Sequence, residues 1–178
     1  MEAQNVLDFW FDEISKKQWF IKDLSLDEAI SKRFANLHQK AIQGELSEWR
    51  EDPQGALAEI IVLDQFSRNM FRGTEKSFQF DCLALALAQE AIRRKDHLSL
   101  KADEFDLLMM PFMHSESVLV HQQAAPYFEL SKNEGLIDFE KKHFDIIKTF
   151  KRYPHRNNIL GRESTKQERA FLKDNPGF

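Results

Sequence analysis

With 178 residues, 42% of them hydrophobic and 30% charged, the chain is long enough for one sizeable core and too apolar for the disordered class. A formal net charge of −4 excludes a general nucleic-acid binder, which needs a dominant basic surface to displace counterions from phosphates. No apolar run approaches the roughly 20 residues of a membrane-spanning helix, so no membrane segment is expected.

The N-terminal stretch from Val6 to Phe11, with Trp10, opens the chain as a helix. Ser25-Leu26-Asp27-Glu28 has the form of a capping box, and behind it Ile30, Phe34, Leu37 and Ala41 recur at helical spacing up to Gly44. Asp52-Pro53 supplies an N-cap and a first-turn proline for the next helix, through Leu57, Ile60, Ile61 and Leu63. From Phe80 to Lys95 apolar residues lie nearly all round, which predicts a buried central helix in which Leu85→Asp is severely destabilising. Cys82, the single cysteine, sits in that run, so a buried thiol and a reducing, cytoplasmic compartment follow.

Asp103 caps a helix to Met110, which Pro111 ends or restarts. Ser117 caps a helix running to Lys132, kinked at Pro126 and stopped by Gly135. Asp138 opens a further helix with Phe139, His143, Ile146, Phe150 and Tyr153 on one inward face, and Pro154 ends it. Thr165 and Glu168 form the capping box of a short last helix carrying Phe171 and Leu172. No period-two segment bounded by turns argues for a sheet. The expectation is an all-α array of about seven or eight helices forming a single domain over residues 1–178.

Three segments carry more polarity than a helical scaffold requires. In the first, Leu63-Asp64-Gln65-Phe66-Ser67-Arg68-Asn69-Met70-Phe71-Arg72-Gly73-Thr74, a continued helix puts Asp64 and Arg68 one turn apart on the face that points into the core. The second, Pro111-Phe112-Met113-His114-Ser115-Glu116, is followed by His121. Its spacing is not a zinc signature, so no metal and no cofactor are expected. The third, Tyr153-Pro154-His155-Arg156-Asn157-Asn158-Ile159-Leu160-Gly161-Arg162, concentrates guanidinium, imidazole and amide donors in one loop, a composition suited to carboxylate or phosphate.

At these three segments, together with Ser164-Thr165, the sequence resembles the bacterial family known as domain of unknown function 924. The resemblance spans most of the chain. It implies a right-handed helical array of tetratricopeptide-like type and no established activity. It also implies proline where this chain has Ser67, which would end the helix from Pro53 near Phe66 and leave Arg68 to Arg72 in a turn.

The reading that follows is one concave polar pocket. Asp64, Arg68, Asn69, Arg72, Arg156, Asn157 and Arg162 are the candidate ligand-binding residues, for a small anionic molecule or the acidic end of a peptide. In the alternative, Glu116 with His114 or His155 performs acid/base chemistry on an anionic substrate. A third reading makes the charged groups a buried network that only staples helices. Within the first reading Arg156, on a loop, is the ligand residue, and Arg68, a turn from Asp64, is structural.

Overall fold

The computed structural model describes residues 2–175, and among them every regular element is helical. Helix α1 (Glu2–Leu7) runs on into a π-helical turn at Asp8–Glu13 that buries Phe9 and Trp10. Helix α2 (Leu24–Ile42) is capped by Asp23, whose carboxylate accepts from the backbone N–H groups of Ser25 and Leu26. The cap expected at Ser25 therefore lies two residues earlier, because an anionic oxygen is the better acceptor for free first-turn donors. Its buried stripe, Leu26, Ile30, Phe34 and Ala41, also includes Asp27 and His38.

Helix α3 (Pro53–Ile61) starts as expected at an Asp52 cap with proline in the first turn. It packs against α1 on one side, and its neighbours on the others are α5 (Asp81–Arg93) and α6 (Ala102–Met113). The chain comes so close at its start that a Cβ on Gly55 would stand 2.1 Å from the Trp49 carbonyl oxygen. After Ile61 the rod does not stop: it passes through a π turn at Val62–Phe66 into α4 (Ser67–Met70). The end implied near Phe66 is thus corrected, and Ser67 supplies the reason. Its N–H bonds the Asp64 carbonyl, as no proline could, while its hydroxyl donates to Leu63 O at 2.6 Å and meets His38 Nε2 at 2.8 Å. Phe66, fully buried, packs against Phe9, Trp10 and Phe34 with ring centroids 4.8–6.1 Å apart. Burial of such a ring stabilises by about 1.5–3 kcal/mol.

In α5 only Ala84, Ala88, Ala91 and Ile92 are buried. The expected all-round burial is therefore corrected: a stripe of small residues lets α5 approach α3 and α6, Leu85 is half-buried, and Cys82 is exposed. Helix α6 follows Lys101, whose backbone N–H donates to Glu104 Oε2 at 2.8 Å, instead of starting from an Asp103 cap, and Pro111 lies inside it. The proline costs only the backbone bond to Leu107 in the last turn, so the helix persists to Met113. Helix α7 (Val118–Phe128) begins at the expected Ser117 cap and ends before Lys132.

Helix α8 (Glu134–Phe150) begins at an Asn133 cap, ahead of Asp138, and Gly135 belongs to its first turn instead of stopping its predecessor. Asn133 is fixed there because its amide and the Ser131 hydroxyl both donate to the Asp106 carboxylate. The inward face of α8 is Leu136, Glu140, Ile146 and Ile147, while Phe139 is 51% exposed. The expected stripe is thus rotated, and an acid stands where a ring was expected. Helix α9 (Lys166–Asp174) has the expected Thr165 and Glu168 box. Counting α1 and α3 with the turns that extend them, eight helical rods result among the described residues, and none is long and apolar enough to cross a membrane.

Candidate functional site

The π turn is what brings the first polar segment inward. It directs Asp64, 1% exposed, toward the end of α6, where its Oδ1 accepts from His114 Nδ1 at 2.8 Å and lies 3.0 Å from Arg68 Nη1. Oδ2 accepts from Gln65 Nε2 at 2.6 Å. Arg68 in turn donates to Asp81 Oδ2 at 3.0 Å, at the first turn of α5, and Arg156 donates to the same oxygen at 3.1 Å. Asp81 Oδ1 is also 3.0 Å from Arg68 Nη1, but off the donor axis, so it adds a charge contact without a hydrogen bond. Two carboxylates and two guanidinium groups form an electrically neutral chain from Asp64 to Arg156. The Arg156 guanidinium lies over the rings of Phe78 and Tyr153, 4.5 and 4.7 Å from their centroids.

The turn after α6 leaves the carbonyls of Met113, His114 and Ser115 to be satisfied by three side chains from elsewhere. Tyr153 Oη donates to Met113 O, Arg156 Nη2 donates to His114 O at 3.0 Å, and His121 Nε2 meets Ser115 O at 2.9 Å. Glu116 closes the turn by accepting the Tyr153 backbone N–H at 2.7 Å and both Nη groups of Arg162 at 2.6 and 2.9 Å. The second and third polar segments are therefore locked together around His114.

Burial and the Arg68 charge push the His114 imidazole below its usual range, so it is neutral at physiological pH. With Nδ1–H given to Asp64, Nε2 is the nitrogen that carries the lone pair, and no protein group bonds it among the described residues. Burial would raise Asp64, but Arg68 and the hydrogen bonds from His114 and Gln65 hold it far below the carboxylate range. The His114 ring, 13% exposed, borders a cleft of about 940 Å³. Phe71, Phe78, Leu85, Pro111 and Leu160 give the cleft apolar walls, and Cys82, Ser115 and Glu116 also face it.

A model of a bacterial protein family of unknown function, DUF924, matches residues 6–176. The chain belongs to this family. A solved structure titled as a protein of unknown function, ATU0120, from Agrobacterium tumefaciens is similar to it at 36% identity and a TM-score of 0.92, over 97% of each chain. No curated protein matches.

Of the residues expected to form one pocket in this DUF924 chain, Arg72, His114, Glu116 and Arg156 border the cleft. Asp64 and Arg68 stand directly behind His114. The remaining four are elsewhere. Asn69 is buried and donates to Asp27 at 2.8 Å, and Arg72 grips the same carboxylate with two bonds. Asn157, fully buried, ties Ser164 to Arg162, and Arg162 is committed to Glu116. His155 lies on Tyr153, its imidazole pushed down to about 4 by burial and by Arg156.

Glu116 and Arg156 are both held by counter-charges. Burial would raise the Glu116 carboxyl, but Arg162 and the Tyr153 N–H hold it below the ordinary range. Arg156 is not a free loop guanidinium, since its side chain is 7% exposed and bonded to Asp81 and His114 O. Asp81, Cys82 and Phe78 border the cleft without any sequence signal. Asp81 was hidden as an ordinary acid in a helix's first turn, and Cys82 by its apolar neighbours. His114, Glu116 and His121 point to separate partners, Asp64, Arg162 and Glu140, and no three metal-ligating side chains gather among the described residues.

Proposed function

We propose that the cleft takes a small organic ligand, or the end of a peptide, with an apolar body and one acidic group, and that His114 moves a proton on it. One observation carries this reading: the 2.8 Å bond from His114 Nδ1 to a buried carboxylate, which leaves Nε2 as the base at the cleft wall. Asp64 fixes the tautomer and the ring plane, and it stabilises the imidazolium that forms when Nε2 takes a proton. The exposed Lys76, on the cleft wall with its ammonium 5.7 Å from the Phe71 ring, supplies positive charge for a single carboxylate or phosphate. A polyanion fits poorly, because Arg68, Arg72, Arg156 and Arg162 are spent on Asp64, Asp27, Asp81 and Glu116.

The test is a thermal-shift panel of aliphatic and aromatic carboxylic acids beside inorganic phosphate, run on the wild type and on His114→Asn. Apolar carboxylic acids should raise the melting temperature by mass action, and phosphate should raise it less. A reaction found with any of them should slow by about 10²–10⁴ in His114→Asn, the contribution of a positioned base. Stabilisation by phosphate alone would favour a plain anion binder. Turnover untouched by His114→Asn would remove the acid/base role.

A further inference from the structure

Behind the cleft lies a second imidazole–carboxylate pair whose protons can be counted from geometry. His121, on α7, is fully buried, with its ring stacked on Phe144 at 5.4 Å. Its Nε2 faces the Ser115 carbonyl oxygen at 2.9 Å, and a carbonyl only accepts, so Nε2 carries a hydrogen. Tyr153 Oη, 3.4 Å from the same nitrogen, has given its own hydrogen to Met113 O and is likewise an acceptor there. On the other side Nδ1 meets Glu140 Oε1, on α8, at 2.6 Å. One proton must occupy that short contact. The second Glu140 oxygen is buried and receives no hydrogen bond. A carboxylate ion would leave that oxygen's charge uncompensated, whereas a carboxylic acid donating to Nδ1 leaves only a weakly polar carbonyl.

We propose that His121 and Glu140 form a positioning pair, with Glu140 as the carboxylic acid donating to Nδ1, which fixes Nε2–H on the Ser115 carbonyl and so holds the turn that carries His114. This rests on reading His114 as the working group of the cleft. Burial also pushes the Glu140 carboxyl above the ordinary range, in agreement with the hydrogen-bond geometry. The other titratable groups facing the pair are Tyr153, from the loop after α8, and His143, on α8 itself. Burial raises the Tyr153 phenol, with Arg156 opposing, and it lowers His143 to about 4. Neither is charged near neutral pH. Beyond Tyr153 lie Arg156 and Glu116, each bonded to a counter-charge.

Glu140→Gln and Glu140→Ala in the full chain separate the possibilities. Glutamine keeps an N–H donor for Nδ1 and mimics the acid. Glu140→Gln should melt like the wild type below about pH 4.5 and increasingly above the wild type as pH rises, because the acid then resists ionising in the folded chain while glutamine carries no proton to lose. Diethyl pyrocarbonate, read out by peptide mass spectrometry, should label His114 at the wild-type rate in Glu140→Gln and at a severalfold different rate in Glu140→Ala. Imidazole ¹⁵N shifts of the wild type should show His121 as the neutral Nε2–H tautomer, a readout that stands even where a variant fails to fold. Glu140→Gln as damaging as Glu140→Ala at every pH, or a His121 imidazolium, would overturn the acid form. His114 labelling unchanged in a folded Glu140→Ala would overturn the positioning role. None of these readouts uses a ligand or turnover, so their failure is distinct from failure of the proposed function.

Discussion

At the scale of single residues, the site is governed by which charges remain when one is removed. Arg68 touches both Asp64 and Asp81; in Arg68→Met Asp81 keeps Arg156, whereas Asp64, 1% exposed, loses its one guanidinium. Urea melts should show a loss of roughly 3–5 kcal/mol, the usual result of leaving a buried charge without its partner. Arg156→Met should cost less, about 1–3 kcal/mol, because Asp81 keeps Arg68 and the principal loss is the bond to His114 O. Equal losses in the two variants would contradict the chain of pairing drawn from Asp64 to Arg156. That arrangement places the cleft between the three functions weighed from the sequence. Its arginines staple helices, as a scaffold requires, yet the stapling also leaves one imidazole nitrogen bare at a large cleft.

At the scale of elements, close approach and small residues decide which substitutions are felt. Gly55→Ala should destabilise by about 1–3 kcal/mol or more, since the new methyl meets the Trp49 backbone, which has no rotamer to yield. In α5, Ala88→Asp should be far more damaging than Leu85→Asp, because Ala88 is fully buried and Leu85 borders the cleft. Chemical denaturation of the three variants checks both statements; equal damage at Ala88 and Leu85 would mean that α5 is buried all round.

Such details set the boundary of what the sequence disclosed. Caps at Asp52, Ser117 and Thr165 are local chemistry, and each was readable from a few neighbouring residues. The facing of α5 and α8 was not readable, since alanine and leucine occur on both sides of a helix that borders a cleft, and an inward acid such as Glu140 breaks the rule that acids face water. Asp64, Arg68 and His114 stood out because charge interrupts an apolar stripe. Asp81 and Asp27, which complete the ion pairs, are acids in first turns, where acids are ordinary.

For the whole molecule, the paired carboxylates set the response to acid. Asp27, Asp64 and Glu116 are each pushed up by burial but pulled below their ordinary values of 3.8 or 4.5 by bound arginines, with Gln65, His114 and backbone donors adding to it. Because their folded values are depressed, their stabilisation is complete above about pH 4.5 and is lost as pH falls through the folded values. Glu140 runs the other way: its folded value is raised, so its contribution is complete below 4.5 and declines as pH rises through that value. Urea midpoints against pH should therefore fall steeply on the acid side and gently on the alkaline side, with Glu140→Gln flattening only the latter. A urea midpoint unchanged between about pH 5 and pH 2 would contradict the pairing.

The central claim, that Asp64 sets His114 as a neutral base with Nε2 bare, is tested most directly by the imidazole ¹⁵N shifts of His114 in long-range proton–nitrogen correlation spectra. Between about pH 6 and pH 8 the account predicts a protonated Nδ1 and an unprotonated Nε2, with that preference lost in Asp64→Asn. A His114 imidazolium at neutral pH, or the Nε2–H tautomer in the wild type, would contradict it.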